Sequence, residues 1–240
     1  MGRATFTLLF LLLTAQTTLA ALEGSGTEGS PYLIKTDTDW NEFASSITSA
    51  TSYSGEYVKL DASISVTTMA GTSDDTRFCG TFDGGGKTIT FNIDKSGEDA
   101  VALFRSIQSA TIKNLNVAGS VTGKRHVAAL VGTSFGAGNV INNCKVSADV
   151  TCTEKYMGGI LGHGKSSGIT ISSCVFSGLL SGGAVEHMGV FYGWSDAAGE
   201  GCERSIVDCL YVMKSGQSTS VLDLVDKSGS TATFPVNSCL

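Results

Sequence analysis

Hydrophobic and polar positions alternate in short runs along this chain, and from about residue 100 the runs return at a nearly constant interval. VAALVG (127–132), MGGILG (157–162) and MGVFYG (188–193) are versions of one segment. Each is followed by an Ile-x-x-Cys segment: INNCKV at 141–146, ISSCVF at 171–176 and IVDCLY at 206–211. Gly132 to Gly162 is 30 residues and Gly162 to Gly193 is 31, while Cys144 to Cys174 is 30 and Cys174 to Cys209 is 35. Apolar anchors at fixed places within a period near 30 mark a repeat architecture.

The repeat can be laid out in register. Phe104, Val131, Leu161 and Tyr192 share one place; Ile112, Ile141, Ile171 and Ile206 share a second; Leu115, Cys144, Cys174 and Cys209 share a third. Val117, Val146, Phe176 and Tyr211 follow two residues later, then Val121, Val150 and Leu180. Within each segment the separations are even or broken by glycine, as pleated strands require. Several short β runs per coil, stacked on the next coil, predict an all-β chain: a parallel β-helix of about five coils with ladders of like residues in its core.

Ahead of the repeats the pattern changes. Residues 22–30 are a Gly/Ser-rich lead, and Pro31 to Ile34 reads as a short strand. From Asp37 to about Ser49 the apolar positions Trp40, Phe43, Ala44 and Ile47 have the spacing of one helix face, and Thr36 with Asp39 forms a capping box. Such a helix can cover the first coil and close the core. Strand-like runs follow at Tyr57 to Leu60 and Ile64 to Val66. GTFDGGGKTITF (80–91) reads as two β runs joined by a glycine turn; its spacing is not that of a phosphate loop. The plan is then 1–20 signal peptide, 21–36 lead and first strand, 37–99 capping helix and first coil, and 100–240 repeat coils.

Composition narrows the setting. Thirty glycines against two prolines suit turns in a regular structure, and a formal charge of −6 argues against nucleic acid or an anionic membrane as partner. Arg3, the apolar Leu8–Leu13 run and Thr18-Leu19-Ala20 read as a secretory leader, and no segment is long enough to span a bilayer. The expected location is secreted or at the cell surface.

The segments GTFDGGGKTITF and LFRSIQSATIKNLNVAGSVTG, with the recurring AALVG…INNC units, resemble the GLUG-type repeats of secreted and surface bacterial proteins. The opening GSGTEGSPYLIKTDTDWNEF is similar to the lead-in of such proteins in gut Bacteroidetes. The resemblance covers about residues 24–215. It implies a right-handed β-helix outside the cytoplasm, and it carries no catalytic residues to transfer, because the motif is a packing motif. The third repeat departs from it, with Val190-Phe191-Tyr192 in place of small residues and a longer loop after it.

The chemistry-bearing residues are few. Cys144, Cys174, Cys209 and Cys239 recur at one ladder position, where neighbouring side chains lie too far apart for the roughly 3.5–4.5 Å Cβ separation of a disulfide; they read as buried thiols. Cys79, Cys152 and Cys202 fall outside that ladder, which leaves a bridge within this group open. Ligands spread along a line do not converge on a metal, and no cofactor is expected. His126, Tyr156 and His187 share a column just before the VAALVG-type strand, with Asp99 at the matching place one coil earlier. That column could be a glycan-recognition ridge or simply a solvated turn. Gly162-His163-Gly164 matches the Gly-His-Gly of polygalacturonase-type glycosidases, but Asp74-Asp75, the only adjacent carboxylate pair, lies far upstream. No Gly-x-Ser-x-Gly stands at a strand-to-helix turn to support a serine triad, and no regular Thr-x-Thr array suggests ice binding. The expected role is therefore a non-catalytic adhesion or binding module for glycan or surface-protein ligands. The alternative is a polysaccharide hydrolase or lyase using His163, Asp74 and Asp75. Self-association through an uncapped C-terminal edge near Val236 to Cys239 is also expected, because nothing after Cys239 could cover the last coil.

Overall fold

The computed structural model describes residues 22–48, 51–182, 186–196, 202–217, 223 and 236–237. The secretory leader and Cys239 lie outside these residues. The chain is a β-solenoid of about five turns with one short helix. Its three sheets run along the stack and every strand pair is parallel. One sheet orders Tyr32–Ile34, Tyr57–Leu60, Thr81–Asp83, Thr111–Lys113, Asn139–Asn142, Ile169–Ser172, Arg204–Val207 and Val236–Asn237. A second contains four strands, Phe104–Gln108, Val131–Phe135, Leu161–Lys165 and Tyr192–Ser195. The third is nine-stranded and centres on Thr88–Asp99, Asn116–Ala128 and Asp149–Gly158.

The register is the one expected. Ile112, Ile141, Ile171 and Ile206 pair in turn, as do Phe104, Val131, Leu161 and Tyr192, and Val117, Val146, Phe176 and Tyr211. In-register stacking begins well before residue 100. Tyr57–Leu60 pairs with Thr81–Asp83, which pairs with Thr111–Lys113. Three corners per coil turn the chain, and each has a column of left-handed residues: Ser109, Gly136 and Ser166; Asn114, Asn143, Ser173 and Asp208; and Ala100, His126, Tyr156 and His187. In the second column Asn143 Nδ2 donates to Asn114 Oδ1 (2.8 Å), and Asn114 Nδ2 to Asp83 Oδ1 (3.0 Å).

The helix spans Asp37–Ser46 and has the expected capping box. The Asp39 N–H donates to Thr36 Oγ1 (3.1 Å) and the Thr36 N–H to Asp39 Oδ2 (2.9 Å). It stops three residues short of the expected Ser49. Ile47 turns extended, and Ser46 Oγ donates back to the Phe43 carbonyl (2.8 Å). The turn still delivers Ile47 to the core. Trp40 and Phe43 pack edge-on or tilted against Phe82 and Phe104, and Trp40 Nε1 donates to the Thr68 carbonyl (2.9 Å). Burying these two rings stabilises the fold by about 1.5–3 kcal/mol each.

All six described cysteines are free, so no bridge joins Cys79, Cys152 and Cys202. Cys144, Cys174 and Cys209 form a buried column. Each Sγ lies 3.2–3.3 Å from the carbonyl two residues back, that of Asn142, Ser172 or Val207, so each S–H has an acceptor in its own turn. The neighbouring Cys144 thiol and burial push Cys174 up to about 12, and the Cys174 thiol with burial likewise raises Cys209. These thiols should therefore be silent toward an alkylating reagent in the folded protein and react only on unfolding. Cys174→Ser is expected to cost about 1–3 kcal/mol in denaturant titration, because a strongly polar hydroxyl replaces a weakly polar thiol in the core. Mass spectrometry that found Cys144 bridged to Cys174 would contradict this packing.

Candidate functional site

The third corner carries most of the chain's unusual chemistry. It joins the nine-stranded sheet to the four-stranded one, and it places His126, Tyr156 and His187 one above another at φ values of 57°, 68° and 63°. The four-stranded sheet contributes a second column, in which Ser106, Thr133, His163 and Trp194 pair in register. The rings of the two columns interleave. His163 lies 4.7 Å from His126 and 4.8 Å from Tyr156, and Trp194 lies 5.9 Å from Tyr156 and 3.9 Å from His187. Along the first column Tyr156 stacks on His126 at 5.2 Å and on His187 at 5.3 Å. Five rings thus make one continuous stack. His126 and His163 are its buried part, while Tyr156, His187 and Trp194 are half-buried.

Asp99 is not in this column. The register slips between Lys95 and Asp99, so that Asp99 pairs with Arg125 and the residue matching His126 is Ala100, also left-handed. Asp99, Arg125, Lys155 and Glu186 form instead a charged row beside the rings. Arg125 holds Asp99 through both its Nε (3.1 Å) and a terminal nitrogen, and Lys155 lies 3.5 Å from Glu186. Glu154 bridges Lys124 (3.5 Å) and Arg125 (3.7 Å). Burial pushes the Asp99 carboxyl up, but Arg125 outweighs it and holds the group below the usual range.

Asp74 and Asp75 do not act as a pair. The loop 71–77 lies across the four-stranded sheet, between the bridges Ala70–Phe104 and Phe78–Ile107. Asp74 is its pin, accepting from Lys165 Nζ (2.6 Å), Ser106 Oγ (3.2 Å) and Thr133 Oγ1 (3.3 Å). Burial raises its pKa, and Lys165 more than offsets this, so the carboxyl is held below its ordinary value. Asp75 faces solvent, 3.9 Å from Arg77. Arg77 in turn lies over the Phe135 ring at 3.6 Å and donates to Gln108 Oε1 (2.7 Å).

His163 Nε2 meets Asp196 Oδ1 at 3.0 Å, a partner absent from the sequence reading. The two glycines beside His163 have steric reasons. A Cβ on Gly162 would stand 2.6 Å from the His126 backbone carbon, and one on Gly164 would stand 1.6 Å from Tyr192 Oη. The Gly-His-Gly motif is thus accounted for by stacking against the coils on either side. Trp194 and Thr133 were within reach of sequence reasoning, since aligning Gly132, Gly162 and Gly193 also aligns the residues after them. The sequence shows Asp74 as half of a carboxylate pair, but its place beside Ser106 and Thr133 was not legible, because a loop insertion carries it there. Among the described residues no cluster of three or more His, Cys, Asp or Glu side chains could hold a metal ion, and no helix is long and apolar enough to cross a membrane.

The fold and this corner together define a parallel β-solenoid with an aromatic edge. No family model matches the chain. Among curated proteins it is similar to Halomucin of Haloquadratum walsbyi, with 31% identity over 161 residues, or 62% of this chain and 2% of that protein. Among solved structures it aligns with a candidate immunoglobulin A1 protease from Bacteroides ovatus at a TM-score of 0.48 and 20% identity, covering 90% of this chain and 76% of the other.

Two outcomes follow from the geometry. Gly164→Ala should cost about 1–3 kcal/mol by overpacking, and Tyr192→Phe in the same chain should recover part of that loss by removing the clashing hydroxyl; equal losses with and without the hydroxyl would refute the contact. The second outcome concerns acid. Burial lowers His126 from 6.5 to about 4, and burial lowers His163 as well. The unfolded chain therefore binds these protons first. Stability should be full above pH 6.5 and decline as the pH falls toward 4, by on the order of 3 kcal/mol for His126 alone. The carboxylates with lowered pKa values lose their contribution only below that window. Urea titrations between pH 7 and 4 check the effect, and His126→Phe should flatten the slope.

Proposed function

We propose that this chain is a non-catalytic, extracytoplasmic β-solenoid module that binds glycans along its aromatic corner. The observation that carries the reading is the identity of the corner residues. A left-handed φ costs a bulky residue roughly 1–2 kcal/mol, which glycine or asparagine would largely avoid. The other two corners use Ser, Gly, Asn and Asp, yet this one has His126, Tyr156 and His187 in three successive coils. Strain kept in register over three coils suits a surface that something else must touch. Tyr156, His187 and Trp194 present the half-buried edges of the ring stack, and the adjacent Arg125, Lys155 and Glu186 offer charged hydrogen-bonding groups, a mixed apolar and polar ridge suited to the C–H groups and hydroxyls of sugars. A surface-protein ligand would use the same groups and ranks second.

The leader-like residues 1–20 support a secreted or cell-surface setting, and the GLUG-type likeness of the coil motif belongs to the same proposal. So does the division into leader, lead and capping helix with first coil, followed by repeat coils to residue 240. Similarity to a short stretch of a far longer protein fits a coil unit that also occurs within large chains.

An enzyme reading has one observation in its favour, the His163–Asp196 contact. Against it, His163 is buried in the ring stack and Asp74 is neutralised by Lys165. Release of reducing ends from a polysaccharide, abolished by His163→Ala, would move the assignment to a hydrolase.

The binding reading is tested by a glycan array followed by calorimetry on the hits. Tyr156→Asn removes the ring but tolerates the left-handed backbone, so affinity should drop about tenfold or more while the melting temperature stays within a few degrees. Retention of full affinity by Tyr156→Asn and Trp194→Ala would overturn the corner as the site.

A further inference from the structure

The solenoid's first coil is incomplete in one place, and the gap has the dimensions of a ligand site. Val66 pairs with Phe91, and Ala70 bridges to Phe104. The first coil therefore goes from one contact to the next in 4 residues (66 to 70), where the next coil takes 13 (91 to 104). What is missing is the stretch that would pair with Asn92 to Asp99. In its place is a groove of about 800 Å³ between the helix and the nine-stranded sheet, floored by Ala44, Met69 and Ile93 and ending at Lys95, Glu98 and Arg105. That volume falls within the range of about 300–1,000 Å³ common to ligand sites.

Three observations say what kind of ligand would fit. The first is the apolar column. Ile93 stacks on Val121, which stacks on Val150 and then Leu180; the lower three are buried, but Ile93 is only partly so, with no strand residue above it. The second is the backbone. Thr88 N–H points toward the preceding coil, where it donates to Ser63 Oγ (3.0 Å), so strand alternation puts the N–H groups of Asn92 and Asp94 on the same side, along the open edge. Among the described residues Asn92 to Asp99 have a strand partner on one side only. The third is charge at one end of the groove. Lys95, two residues beyond Ile93, and Arg105 share the single carboxylate of Glu98, at 3.0 and 3.4 Å, which leaves that end with one positive charge in excess, while Asp39 and Glu42 line the helix side; Arg105 Nε is buried and without a hydrogen-bond partner.

We infer that this groove takes an extended peptide from a partner protein, which adds as the missing parallel strand along Asn92–Lys95. Its side chains would alternate, with an apolar residue over Ile93 and Met69 and an acidic residue two positions later beside Lys95 and Arg105. Backbone pairing supplies affinity, and the apolar-x-acidic spacing supplies selectivity. The exposed charges on this edge also suit its second requirement, to discourage indiscriminate edge pairing. This site lies on other residues than the aromatic corner, and the proposal does not depend on glycan binding.

The test uses the full chain and a fluorescent six-residue peptide, Thr-Thr-Val-Thr-Glu-Thr, capped at both ends and read by anisotropy. Binding is expected, and a Glu-to-Lys version of the peptide should bind about tenfold more weakly. Asp94→Pro removes an edge N–H that the strand's other neighbour does not use, and should abolish binding with the melting curve retained. Lys95→Glu should reverse the preference toward the Lys peptide, an effect that mere loss of folding cannot produce. Absence of binding at millimolar peptide, or binding indifferent to both variants, would overturn the inference. So would two other occupants of the groove. Self-association lost in Asp94→Pro would mean that a second copy sits on the edge, and amide protection of Asn92 and Asp94 in the free protein would mean that the chain fills the gap itself.

Discussion

The constraint on which everything else rests is that each coil finds its backbone partners only in the coils above and below. A parallel pair leaves no donor or acceptor free on the inner strands, so the chain must return to the same outline every turn or leave buried polar groups unsatisfied. The outline closes only if the backbone turns sharply between sheets, which here happens through left-handed residues at three corners. Insertions are tolerated where they bulge outward, as the loop 71–77 does across the four-stranded sheet. Fixed register then makes like stack on like: isoleucine on isoleucine, thiol on thiol, ring on ring.

That is why the fold was legible in the sequence to an unusual degree. Once Ile112, Ile141, Ile171 and Ile206 were aligned, every other core column followed from even spacing, and the structure repeats those columns pair by pair. The capping helix was legible for a different reason, because Thr36 and Asp39 make a local signal that needs no tertiary context. Two features were not. The end of the helix depended on where Ile47 had to enter the core, which no propensity encodes. The bulge between Lys95 and Asp99 shifted one column by a residue, because an insertion within a strand leaves the hydrophobic alternation on either side unchanged.

The candidate site was half legible. The column His126, Tyr156 and His187 could be read from the period, but not its partial burial, since burial depends on the second column that interleaves with it. Trp194 could have been found by extending the alignment one residue past Gly193. Asp196 and Asp74 reach His163 and the Ser106–Thr133 pair from irregular segments, and a repeat pattern says nothing about those. The Gly-His-Gly motif shows the opposite hazard. Its residues match a catalytic signature, yet both glycines are required by close approach of neighbouring coils. In a solenoid, a motif at a repeat position has first to be explained as packing.

Ring content differs along the axis. Trp40, Phe43, Tyr53, Phe78, Phe82 and Phe104 contact one another under the helix, whereas the middle columns farther on are filled largely by Val, Ile and Cys. Each new coil closes a loop of about thirty residues, so the entropic cost of adding a turn is nearly constant while its reward is not. The aromatic end therefore offers the largest gain per turn, which makes it the end on which the array would nucleate, with later coils adding onto it one at a time. Such an array need not form all at once: each turn has its backbone partners as soon as the turn before it is in place, so the stack can grow in one direction from the helix.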